Sequence, residues 1–88
     1  MDYLLFTYPN CQKCETLKSY LRGAGVPAEV LDVAEKPGRL RIREFLPRVK
    51  RDEKGAVVLP TLVLHEAGRV AAVVNSREEL EAWSRSRA

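Results

Sequence analysis

The apolar positions fall into short blocks, and the spacing within each block separates strand from helix. Tyr3 to Thr7, centred on Leu4-Leu5-Phe6, reads as a buried strand. Further on, Cys14, Leu17, Leu21 and Ala24 recur at steps of three and four, the stripe of a helix with one face on a core. Asn10 stands where that helix takes its cap, with Cys11 at its start. Gly23 and Gly25 end it, and Pro27 forbids its continuation. Ala28 to Ala34 is a second strand, carried by Val30, Leu31 and Val33. Strand, helix and strand in so short a span predict a right-handed parallel βαβ unit.

Pro37 opens a second helix, with Leu40, Ile42, Phe45, Leu46 and Val49 as its core face. Pro47 lies inside that pattern, so a kink or break is expected near Leu46. Arg51 to Gly55 is a charged loop, and Val57 to Leu59 leads through Pro60 into a strand from Thr61 to His65. Glu66-Ala67-Gly68-Arg69 reads as a hairpin turn and Val70 to Val74 as the return strand. Ser76-Arg77-Glu78-Glu79 has the form of a capping box launching a last helix that packs Leu80 and Trp83. Acids at its start and Arg85 and Arg87 at its end suit the helix dipole. The predicted order is βαβ, helix, then ββα, and the class is α/β.

Eighty-eight residues, 45% of them hydrophobic, support one domain spanning 1–88. Fifteen basic residues are largely offset by twelve acidic ones, leaving +3 and a mixed-charge surface. Arg39, Arg41, Arg43, Arg48, Lys50 and Arg51 cluster mid-chain, without the aromatic platform or docking motif of a nucleic-acid binder. A solvated helix face is the expectation there, and nucleic acid is not an expected partner. The opening residues lack a secretory signal and no run reaches membrane-spanning length. A cytoplasmic, monomeric protein without membrane contact is expected.

The only cysteines are Cys11 and Cys14, separated by Gln12-Lys13 and placed where the first strand gives way to the helix. A bridge between such near neighbours closes too short a loop to staple a fold. A Cys-x-x-Cys at a strand-to-helix junction is instead the layout of a dithiol redox centre. Cys11 lies where helix amides point outward, which favours thiolate over thiol, while the helical stripe turns Cys14 inward. Lys13 adds a cation beside the sulfurs or is a surface lysine, and Tyr8 lines the site or packs over the helix start. A zinc site would need four ligands, and His65 is the one remaining nitrogen donor. His65 is expected to cap the exposed end of its strand.

The element order, the Cys11-Gln12-Lys13-Cys14 motif at the first helix and Leu59-Pro60-Thr61 entering the third strand together resemble glutaredoxin-like members of the thioredoxin superfamily. The resemblance covers nearly the whole chain. It implies the thioredoxin fold, a four-stranded mixed sheet flanked by helices. It also implies a cis Pro60 against the dithiol, with the Leu59 backbone pairing with the substrate's cysteine segment as an added strand. Cys11 would attack a disulfide and Cys14 would resolve the mixed disulfide.

The chain differs from that family in informative places. Gln12-Lys13 replaces the common Pro-Tyr, and Asn75-Ser76 followed by Arg77-Glu78 replaces a glycine pair and an acidic residue that grips glutathione. Tyr8, Lys13, Leu59, Pro60, Thr61, Asn75 and Ser76 are thus the expected substrate-binding set. The expected activity is reduction of protein or glutathione mixed disulfides, with glutathione as a candidate co-substrate and no metal or organic prosthetic group. Regeneration needs a reductase. Two alternatives are an electron donor coupled to thioredoxin reductase, for example toward ribonucleotide reductase, and a non-enzymatic thioredoxin-fold binding module that holds either a partner or an iron–sulfur cluster.

Overall fold

Leu4, Leu5 and Phe6 are almost wholly buried because their strand, β1 (Asp2–Thr7), lies inside a sheet covered on both faces. The computed structural model describes residues 1–87. Helix α1 (Gln12–Gly23) and strand β2 (Ala28–Asp32) follow β1, then helix α2 (Lys36–Ile42) and a 3₁₀ turn at Arg43–Phe45. Strands β3 (Thr61–Glu66) and β4 (Arg69–Val74) form a hairpin, and α3 (Arg77–Arg87) ends the described chain. The sheet order is β2-β1-β3-β4. β1 runs parallel to β2, and β3 is antiparallel to both β1 and β4. This is the mixed α/β arrangement that the resemblance implies.

Alternate residues of each central strand feed opposite faces. Leu5, Leu62 and Leu64 meet Leu17 and Leu21 of α1 and Leu80 of α3, with Trp83 packed alongside. Leu4, Phe6 and Val63 meet Ile42, Phe45 and Val49 on the other face. Each fully buried Leu or Phe side chain contributes about 1.5–3 kcal/mol through the hydrophobic effect.

Several local expectations are corrected. Asn10 does not cap α1: its φ of 59° is left-handed, and Cys11, in extended conformation, takes the cap position. Asn tolerates that left-handed turn better than most residues. Ala24 leaves the core stripe because α1 stops at Gly23, which makes Ala24 its exposed C-cap. β2 ends at Asp32 rather than Ala34, where the Asp32 carboxylate takes the Ala34 N–H and turns the chain. Val30 faces outward, 45% exposed.

Leu40 is also outside the core, at 48% exposure. α2 docks through Gly38 and Ile42, one turn apart, so position 40 falls on the far side. A Cβ at Gly38 would collide with the Asp32 carbonyl, so only glycine permits this approach. The expected break before Pro47 occurs as a tightening into the 3₁₀ turn.

The β3–β4 loop has positive φ at both Ala67 (52°) and Gly68 (78°), the pattern of a type I′ hairpin. His65 is half-buried, edge-on to Phe45 with ring centroids 5.9 Å apart. Arg85 reaches Glu81 at 3.9 Å, while the Arg87 side chain and residue 88 lie outside the described part. Among the described residues no helix is long and apolar enough to cross a membrane.

Candidate active site

Strand register brings three separate stretches to one end of the sheet. Phe6 pairs with Thr61, so the turn leaving β1 and the residue entering β3, Pro60, share that end. Leu62 pairs with Val74, which places Asn75 there too. The first stretch carries the cysteines, the second the Leu59–Pro60 bond, which is cis, and the third leads into α3.

Cys11 and Cys14 are joined as a disulfide, with Cα atoms 5.2 Å apart. Their environments differ. Cys14 is wholly buried, on the same stripe as Leu17 and Leu21. Cys11 is half-buried, and its Sγ accepts the Cys14 backbone N–H at 3.1 Å. One of the N–H groups left open at a helix start therefore points at the first sulfur. Such a pair can cycle between disulfide and dithiol, with one sulfur offered to solvent and the other held behind it.

Beside the dithiol runs a groove of about 560 Å³ whose wall includes Lys13, Lys50, Leu59, Asn75, Ser76 and Glu78. Cys11 itself opens on a separate recess of about 480 Å³, formed with Asn10, Gln12 and Glu15. The structure thus gathers Lys13, Leu59, Asn75 and Ser76 around one groove. Pro60 and Thr61 are buried beneath it, and Tyr8, 55% exposed, stands outside both hollows.

The polar side chains ahead of α3 are turned to structural tasks. Asn75 Nδ2 donates to the carbonyls of Val58 (3.1 Å) and Pro60 (2.9 Å) and approaches Thr61 Oγ1 at 3.3 Å. Thr61 Oγ1 donates in turn to the Val58 carbonyl at 2.6 Å. Ser76 Oγ accepts the Glu79 N–H, and Glu79 Oε1 accepts the N–H of Asn75, one residue before the place a capping box predicts. Arg77 pairs with Glu81 and lies 4.4 Å from the Tyr20 ring. Hydrogen bonding and then charge from Glu81 raise its pKa above the ordinary value.

Two groove residues escape the sequence reading. Lys50 lines the groove, and its carbonyl holds the Val58 N–H at 2.9 Å. In sequence it is one more cation in a basic run. Glu79 was visible as a capping residue, though not as the anchor of Asn75. Other members of the basic run make local bonds: Arg39 to the Ala34 carbonyl, Arg41 to Glu44 and Arg51 to the Gly55 carbonyl. Among the described residues no three His, Cys, Asp or Glu side chains gather as a metal site.

Among solved structures, the thioredoxin-like protein BC3987 matches with a TM-score of 0.62 at 22% identity, over 92% of this chain and 97% of that one. A mutant of the same protein matches with a TM-score of 0.63 at 23% identity, over 92% and 96%. At these identities the likeness shows the thioredoxin-like fold alone. No curated protein matches the sequence. The glutaredoxin family profile matches residues 4–67, a stretch that contains most of β1, both cysteines, the cis proline and β3. With that match over most of its length, and with a Cys-x-x-Cys disulfide at the head of its first helix, the chain belongs to the glutaredoxin family.

Proposed function

We propose that this protein is a thiol–disulfide oxidoreductase that reduces protein disulfides through Cys11 and Cys14. The observation that carries this reading is the asymmetry of the pair: a half-buried Cys11 at the helix start and a wholly buried Cys14 bonded to it. In the reduced protein, the Cys11 thiolate attacks one sulfur of the substrate disulfide. That S–S bond breaks, a Cys11–substrate disulfide forms, and the other substrate sulfur leaves as a thiolate that takes up a proton. Cys14 then gives up its proton and attacks Cys11 Sγ, releasing the second substrate thiol. Two electrons and two protons pass to the substrate, and the protein is left as the Cys11–Cys14 disulfide. An external dithiol or thiol reductant restores it.

The groove supports protein substrates over glutathione. The polar groups around the start of α3 (the Asn75 amide, Ser76 Oγ and the Glu79 carboxylate) are all bonded within the chain rather than offered to a small thiol. The Leu59 backbone remains, with Lys13 and Lys50, whose side chains have no partner among the described residues, and Glu78, which faces the charge of Arg77. A backbone edge suits an extended peptide, which adds to it as a short strand. The test is coupled turnover of a protein disulfide with NADPH in both arms, through thioredoxin reductase in one and through glutathione and glutathione reductase in the other. Faster turnover in the first arm is expected. Absence of protein-disulfide turnover in both arms would contradict the protein-disulfide reading.

A further inference from the structure

The backbone from Val58 to Pro60 can be followed group by group. The Val58 N–H is held by the Lys50 carbonyl, and the Val58 carbonyl takes both Thr61 Oγ1 and Asn75 Nδ2. Pro60 has no N–H, and its carbonyl takes Asn75 Nδ2 at 2.9 Å. Among the described residues, only the N–H and carbonyl of Leu59 in this segment are left without a partner. Leu59 is half-buried on the groove wall.

We propose that Asn75 is a positioning residue for substrate docking: its amide fixes the carbonyls on either side of Leu59, keeping the Leu59 N–H and carbonyl as a preset pair of bonds for a peptide backbone. The inference deepens the protein-disulfide reading and rests on it. Residue type matters here. An Asn amide carries two N–H donors on a short planar head, enough for two carbonyls at once. Asp would set a carboxylate against those same carbonyl oxygens, and Ala would leave them unbound. Asn75 is itself anchored on both sides, by Val74 in the β4 ladder and by Glu79 Oε1 on its own N–H. The clamp spans fifteen to seventeen residues of sequence and so ties the hairpin end and the start of α3 to the docking edge.

The role separates cleanly from Cys11 chemistry, because a small disulfide without a peptide backbone has nothing to pair with Leu59. Reduced protein is mixed with a disulfide-bonded peptide or with hydroxyethyl disulfide, and the rate of protein oxidation is followed. In Asn75→Ala and Asn75→Asp the ratio of the peptide rate to the hydroxyethyl disulfide rate should fall about tenfold, the loss of one good hydrogen bond. Equal losses on both substrates would mark a merely structural residue and overturn the proposal, as would no loss on either. An arm independent of folding uses the unaltered protein with a peptide N-methylated at the backbone amides flanking its cysteine. Loss of the preference for peptide is expected there, and an undiminished preference overturns the proposal. Oxidation of the unaltered protein by neither substrate would instead remove the exchange reading itself.

Discussion

The backbone N–H of Cys14 donates to Cys11 Sγ at 3.1 Å, so the first cysteine of the motif serves as the cap of its own helix. A thiolate accepts such a bond better than a thiol does, and the helix start adds a positive potential. Cys14, wholly buried, has neither exposure nor a free helix end. In the reduced protein, iodoacetamide should label Cys11 first, with Cys14 slower by about tenfold or more. Mass mapping of the partly alkylated protein checks this. Preferential labelling of Cys14 would reverse the roles assigned to the pair.

Gly38 sets how closely α2 approaches the end of β2. A methyl group there meets the Asp32 carbonyl, which is backbone and cannot swing aside. Gly38→Ala should therefore destabilise the fold by about 1–3 kcal/mol, the usual cost of overpacking. Reading the change by urea denaturation, a variant as stable as the parent would show that α2 docks more loosely than described.

Ala67 holds a left-handed conformation, φ 52°, in the two-residue hairpin loop. Alanine pays a steric penalty there that Asn largely avoids, and Asn-Gly is the favoured pair for this turn. Ala67→Asn should raise stability by about 0.5–1 kcal/mol, seen as a higher melting temperature with exchange activity unchanged. A lower melting temperature would count against the I′ assignment.

How far the sequence discloses these features depends on the range of the interaction. Element order was legible because period and punctuation are local: Pro27 and Gly68 sit where the chain turns, and Pro37 in the first turn of α2. The inward Cys14 was legible for the same reason, through its spacing from Leu17 and Leu21. Leu40 was misplaced because an apolar spacing fits more than one helix rotation. The rotation is chosen by the contact of Gly38 with Asp32, which no local pattern displays. Asn10 matched the usual cap residue, but a single left-handed turn moved the cap to Cys11. Asn75 stood out in sequence only as a departure from a family pattern. Its bonds to Val58 and Pro60 cross from one strand end to another and appear only once the register of β3 and β4 is known.

The central claim is that Cys11 attacks and Cys14 resolves. Its most direct test is a single turnover without other thiols, in which the reduced protein and its Cys14→Ser variant each meet a disulfide-bonded peptide and the products are weighed by mass spectrometry. The parent protein should end as the Cys11–Cys14 disulfide with both peptide thiols released, while Cys14→Ser should stop as a peptide adduct on Cys11. An intact substrate beside an unchanged dithiol, or release of both peptide thiols by Cys14→Ser, would contradict the account.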